Sequence, residues 1–282
     1  METLIQRHLL LSKLEHLRAS GKSIGFVPTM GALHQGHIAL VLKAKSENDV
    51  VVVSIFVNPT QFNNNNDLLH YPRTVESDRE LLENVACDLL FLPDVSEMYP
   101  DGLVEPVTEI DLAGLDVVME GAHRPGHFLG VIQVVKKLFD CIGICKAYFG
   151  EKDFQQLAVI RKMVKEWSVS VEIIACAIVR EDDGLAMSSR NIRLTNKERK
   201  VATQISKALF HAKEMWSKCS LEEIKKNVTT LINSNPEFQL EYFEIADATT
   251  LKPVSPGQKK NVVACIAVHL GAVRLIDNII LG

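Results

Sequence analysis

The sequence predicts an α/β protein with a parallel sheet in its first half and a smaller α+β domain after it. Before residue 178, short apolar runs alternate with amphipathic stretches three times, as strands feeding crossover helices do. Beyond that point the texture changes to long, charged, periodic segments followed by apolar strands. Over 282 residues, 47% hydrophobic and 23% charged positions is ordinary globular usage, with enough material for a substantial core.

Taken in order, SIGFVP (23–28) reads as a strand, 36–47 as a helix and VVVSIFV (51–57) as a buried strand. Residues 74–85 read as a helix and DLLFLP (88–93) as a third strand, followed by a loop-rich stretch with Pro93, Pro100 and Pro106. Apolar residues then recur at helical spacing over 128–145, before KAYFG (146–150) as a strand, 154–167 as a helix and 170–179 as a further strand. After Arg180, 195–218 and 220–234 read as charged helices, and EYFEIADATTL and NVVACIAVHLGAVRLIDNIIL as strands. The expected domains are therefore 1–178 and 179–282.

Charge and composition exclude several classes of function. Lys plus Arg number 31 against 35 Asp plus Glu, a net charge of −4, so a nucleic-acid partner is not expected. No stretch is apolar and long enough to span a bilayer, and the opening METLIQRHLLLSKLEHLRAS, with charge or amide every few residues, is not expected to act as a secretory signal. Cys87, Cys141, Cys145, Cys176, Cys219 and Cys265 are scattered without CxxC pairs, which reads as buried thiols of a reducing cytoplasm. The GxSxG elbow, the Walker lysine loop and the GxGxxG turn are all missing from the sequence.

Four segments carry chemistry. PTMGALHQGH (28–37) stands where a strand ends and a helix begins, the place where open parallel sheets bind ligands and where helix N–H groups attract phosphate. Gly31 and Gly36 let backbone approach a nucleotide, and His34 and His37, one helical turn apart, can face one phosphate group. VNPTQF (57–62) follows the second strand, and its Asn58 and Gln61 suit hydroxyls or a carboxylate, although Asn-Pro is equally a plain turn. FGEKDFQQL (149–157) brings Gly150 for a tight turn, Lys152 as a point charge, Asp153 as a cap or ribose ligand, and Gln156 a turn later. VREDDGLAMSSRN (179–191) offers Ser188, Ser189 and Arg190 to phosphates, or is a solvated interdomain loop. His123 and His127, with Arg124 and Glu120 nearby, hint at metal, but Pro125 and Gly126 break the helix that zinc ligands would need.

These segments, with YPRT (71–74), RPGHFLGV and the terminal RLIDN, resemble in order the motifs of the pantothenate synthetase family over nearly the whole chain. The resemblance implies a Rossmann-like N-terminal domain of the HxGH nucleotidyl-transferase type, with the second domain closing over the site. It implies ATP-dependent condensation of pantoate with β-alanine through a pantoyl adenylate. Met30, Gly31, Ala32, Leu33, His34, Gln35, Gly36 and His37 would bind ATP, His37 and His34 as catalytic imidazoles. Gly150, Glu151, Lys152, Asp153, Val179, Met187, Ser188, Ser189 and Arg190 would complete the nucleotide site, Lys152 on phosphate. Gln61 and Gln156 would hold pantoate, Gln61 also lying near β-alanine, Asn58 would belong to the same pantoate/β-alanine site, and Asp78 would face magnesium. A homodimer is expected on the same ground, and the NNNN stretch at 63–66 is expected to be a mobile loop. Another HxGH nucleotidyl transferase acting on a coenzyme precursor, and an ATP-sensing module without turnover, remain as alternatives.

Overall fold

The computed structural model describes residues 1–103 and 109–282; Pro106, expected in a loop, lies outside the described residues. Two compact units are present. One comprises Met1–Glu151 and Gln156–Ala177, the other Lys152–Gln155 and Ile178–Gly282.

The first unit runs β1 (Glu2–Leu4), α1 (Arg7–Ala19), β2 (Ile24–Thr29), α2 (Gln35–Glu47), β3 (Val50–Ile55), α3 (Asn65–Leu69), α4 (Val75–Asn84), β4 (Leu89–Phe91), α5 (Val95–Met98), α6 (Met119–His123), α7 (His127–Ile142), β5 (Cys145–Gly150), α8 (Phe154–Glu166) and β6 (Val171–Cys176). All its strand pairs are parallel, in the order β1-β4-β3-β2-β5-β6. The order reverses at β2 and β5, leaving a crevice beyond the carboxyl ends of those two strands. Val51, Val53 and Ile55 of β3 pack with Ile38, Val41 and Ala44 of α2 and with Leu82 of α4. On α7, Phe139 meets Phe26 and Phe149 edge-on, with ring centroids 6.3 and 6.4 Å apart. Helix α7 stops at Ile142, earlier than its apolar spacing suggests, because Gly143 turns the backbone to φ +74°. The asparagine run is not a simple loop: Asn64 caps α3, its side chain accepting from the amide of Asn66.

In the second unit α9 (Asn196–Met215) and α10 (Leu221–Asn233) precede β7 (Phe238–Asp247), β8 (Val262–Leu270) and β9 (Val273–Ile280), which form an antiparallel sheet in that order. Both helices start with a reciprocal cap, Thr195 with Glu198 and Ser220 with Glu223. Alternate β8 residues Val262, Ala264, Ile266 and Val268 share one core with Ile205 and Leu209 of α9 and Ile224 and Val228 of α10. The long apolar run at the carboxyl end is two strands, split where Gly271 takes φ +57°. At the end of β7, Asp247 accepts from the Thr250 and Thr249 amides and from Gln258, which hold its carboxyl down to about 2.

Among the described residues no helix is long and apolar enough to cross a membrane. All six cysteines are free thiols, and burial pushes Cys87 up to about 11 and Cys145 up to about 12.

Candidate active site

The crevice between β2 and β5 receives the turn that follows β2. Thr29, the last residue of β2, donates its hydroxyl to the Ser54 carbonyl at 2.8 Å and accepts from the Gly31 amide at 3.2 Å, tying the turn to β3. Gly31 and Ala32 both lie in the left-handed region, at φ +81° and +48°, so the chain reverses sharply before α2. Leu33 drops into the core, and Gln35 points to solvent.

His34 is the N-cap of α2. Its Nδ1 accepts from the Gly36 amide at 3.1 Å, while the His34 amide donates to Nδ1 of His37 at 3.3 Å. An imidazole nitrogen that accepts from an amide carries no proton, so each neutral ring holds its proton on Nε2. The rings are 4.1 Å apart at their centroids and tilted by 42°. Two N–H donors thus stand together at the start of a helix whose dipole favours negative charge. The arrangement suits phosphate oxygens.

The segment after β3 forms a 3₁₀ turn over Pro59–Gln61, started by Asn58. Asn58 is 1% exposed: its Oδ1 accepts from the Tyr99 hydroxyl at 2.7 Å, and its Nδ2 donates to the Gly130 carbonyl at 3.1 Å and to Gln61 Oε1 at 3.3 Å. Its polar atoms are thus bonded within the protein, and one of those bonds supports the Gln61 side chain directly. Gln61 in turn donates Nε2 to the Met30 sulfur at 2.9 Å, joining this turn to the one after β2.

The motif around His127 is explained by the same turn. Its Nδ1 lies 2.8 Å from the Gln61 carbonyl, a bond that orients the turn and directs the ring to protein, not metal. Gly130 on α7 lets the helix approach so closely that an added Cβ would lie 2.4 Å from the Thr60 carbonyl. Spacing alone did not reveal the roles of His127, Gly130 and Tyr99; the one visible signal was a His and a Gly at i and i+3 opening an apolar helix.

Asp78, expected to face magnesium, meets backbone amides of the turn after β2. Its two carboxylate oxygens accept from the Ala32 amide at 2.9 Å and the Leu33 amide at 2.8 Å, and from the Thr74 hydroxyl at 3.1 Å. It is 1% exposed, and among the described residues no group of three or more His, Cys, Asp or Glu is placed to hold a metal ion. A side chain so enclosed does not fit a magnesium ligand, since magnesium needs six oxygens and keeps several waters.

Gly150 ends β5 and Glu151 opens the following 3₁₀ turn, with Gln156 half-buried on the first turn of α8.

In the second unit, Lys152 has its ammonium 3.9 Å from Asp153, and its carbonyl accepts from Asn278 Nδ2 at 2.9 Å. Residues 179–187 make a tight hairpin: the Met187 amide donates to the Val179 carbonyl, Arg180 pairs with Ala186, and Gly184 turns at φ +91°. Ser188 then caps a 3₁₀ turn over Ser189–Arg193, its side chain accepting from the Arg190 amide, with Ser189 buried. The hairpin is fastened to β9 by Arg180, which grips Asp277 with both guanidinium nitrogens at 2.7 and 3.0 Å and also reaches the Gly184 and Asn278 carbonyls. Burial pushes the Asp277 carboxyl up, against the pull of Arg180. The adjacent pair Asp277 and Asn278 thus ties down both the 179–187 hairpin, through Arg180, and the Lys152 backbone.

A parallel sheet with an HxGH turn at its switch point defines a Rossmann-like α/β protein of the HxGH class. Within that class the chain belongs to the pantoate-beta-alanine ligase family, whose model matches residues 3–280. A pantothenate synthetase of Bacteroides thetaiotaomicron is 54% identical over 272 residues, 96% of this chain and 95% of the relative. The crystal structure of a pantothenate synthetase from Thermus thermophilus superposes with a TM-score of 0.93 at 42% identity, covering 100% of this chain and 99% of that one. A pantoate-beta-alanine ligase from Francisella tularensis, complexed with beta-gamma ATP and beta-alanine, gives a TM-score of 0.79 at 38% identity, covering 100% and 98%.

Proposed function

We propose that this chain condenses pantoate with β-alanine at the expense of ATP, through a pantoyl adenylate, releasing pyrophosphate and then AMP. The observation that supports it most is the pair of Nε2–H donors of His34 and His37 at the start of α2, in a chain of this family. A carboxylate cannot acylate an amine directly, because oxide would have to leave. Attack of the pantoate carboxylate on the α-phosphorus expels pyrophosphate and leaves an acyl adenylate; the β-alanine amine then attacks the acyl carbon and AMP departs.

The protein's part is to place anions side by side and offset their repulsion. His37 and His34 donate to the phosphate oxygens where charge builds during attack. Lys152, with Ser188, Ser189 and Arg190, takes the charge moving toward pyrophosphate, and Met30 to Gly36, Gly150, Glu151, Asp153, Val179 and Met187 line the nucleotide. Gln61 and Gln156 hold pantoate as neutral partners, a better match than cations for a group that must remain nucleophilic. Magnesium belongs to this proposal as the counter-ion of the triphosphate, carried on substrate oxygens. A cytoplasmic homodimer is the form proposed.

The test is an assay of AMP in which pantoate and β-alanine are omitted one at a time. Steady AMP production is expected only with both present, and pantoate alone is expected to support exchange of labelled pyrophosphate into ATP. AMP formed without pantoate, or ADP in place of AMP, would sink the proposal.

A further inference from the structure

We infer that Asp78 is a positioning residue, an internal anion that holds the 31–33 backbone in the shape that presents His34 and His37 to ATP. The inference rests on the function proposed above. Its basis is the match between an unusual backbone and a buried carboxylate. Two successive residues in the left-handed region, Gly31 and Ala32, turn the following amides of Ala32 and Leu33 toward one point. Such converging N–H groups form a concavity that attracts anions. Here a carboxylate of the protein fills it, one oxygen to each amide, at 2.9 and 2.8 Å.

The fit leaves no slack. A Cβ on Gly31 would stand 3.1 Å from Asp78 Oδ2 and 3.0 Å from Ile55 Cγ2, so the turn is wedged between the carboxylate and β3. Asp78 is itself fixed in the first turn of α4, where its amide donates to the Thr74 carbonyl at 2.8 Å and its Oδ1 accepts from the Thr74 hydroxyl. Two amides and a hydroxyl thereby converge on the oxygens of Asp78, and α4 becomes the ruler that sets the height of the turn. His34 follows Leu33 directly, so a change at Asp78 is passed to the N-cap within one residue.

The test is Asp78→Asn, which keeps the shape but presents an NH₂ group to one of the two amides and so loses one bond. Kinetics are measured against ATP at saturating pantoate and β-alanine, and separately against free magnesium at fixed ATP. A displacement of the imidazoles by a fraction of an ångström is expected to lower kcat/KM for ATP by ~30-fold or more. The magnesium concentration for half-maximal rate is expected to stay within about two-fold of wild type, because the ion sits on substrate oxygens. Wild-type ATP kinetics in a folded Asp78→Asn protein would overturn the inference. So would a magnesium requirement raised by about ten-fold, with the rate restored at high magnesium, which is how a lost ligand behaves. If the variant does not fold, a crystal structure of the wild-type protein with ATP and magnesium decides: both oxygens still on the Ala32 and Leu33 amides supports the positioning role, and a metal bonded to Asp78 overturns it. Failure of the function itself is distinguishable, since wild type would then make no pantoate-dependent AMP.

Discussion

Replacing His37 by alanine is expected to lower kcat/KM for ATP by ~100-fold or more while leaving cooperative melting intact, the loss typical of one donor aimed at a transition state. The physical reason lies in where the proton is. With Nδ1 occupied by the His34 amide, Nε2–H is the only group the neutral ring can turn on a ligand. His34→Ala acts in the same direction. Because its ring lies 4.1 Å from that of His37, the double variant is expected to fall short of the product of the two single losses. Near-native ATP kinetics with His37→Ala would remove the imidazole pair from the chemistry.

The second large effect is on stability. Asp277→Ala leaves Arg180 half-buried without its bidentate partner, and the loss of one member of a buried pair costs about 3–5 kcal/mol. A fall of roughly 10 °C in the melting midpoint is expected from a loss of that size. The Phe210 ring beneath the guanidinium and the Gly184 and Asn278 carbonyls moderate the loss without replacing the carboxylate. Adding Arg180→Met to Asp277→Ala is expected to recover part of the midpoint, because it removes the stranded charge. An unchanged midpoint in Asp277→Ala, by scanning calorimetry, would mean that the pair contributes nothing in solution.

Most of the architecture was legible because local signals and tertiary demands agreed. The Thr195 and Glu198 cap, the buried run of β3 and the strand-to-helix step at 28–37 each point to one structure on local grounds. What was not legible depends on distant partners. Strand β1 has only three residues, and it exists as a strand because Glu2 to Leu4 pair with Leu89 to Phe91 of β4. Helix α1 shows little amphipathic contrast in sequence, burying only Leu10 and Leu14.

The site divides in the same way. The spacing of His34 and His37 at a strand-to-helix step is a local signal, whereas the bonds of Asp78 and Asn58 depend on distant atoms. An Asp in the first turn of a helix is ordinary by sequence; only the fold reveals two amides 46 and 45 residues away ending on its oxygens. Asn58 shares a motif with Gln61 and suggested a shared task; both side chains are buried, and the fold joins them through Asn58 Nδ2 and Gln61 Oε1. Asp277 and Asn278 did carry a usable signal: two polar residues in succession within the apolar strand RLIDNII demand buried partners.

Heavy-oxygen labelling of the pantoate carboxylate follows the atom on which the proposed chemistry turns. If that carboxylate attacks the α-phosphorus beside His34 and His37, one labelled oxygen departs with the nucleotide when β-alanine displaces it. Mass spectrometry is then expected to find AMP carrying one labelled atom. Attack at the γ-phosphorus would instead give ADP and labelled inorganic phosphate, as a ligase relying on Lys152 and Arg190 in a kinase-like manner would. Label in inorganic phosphate and none in AMP would contradict the adenylate pathway even if pantothenate were made.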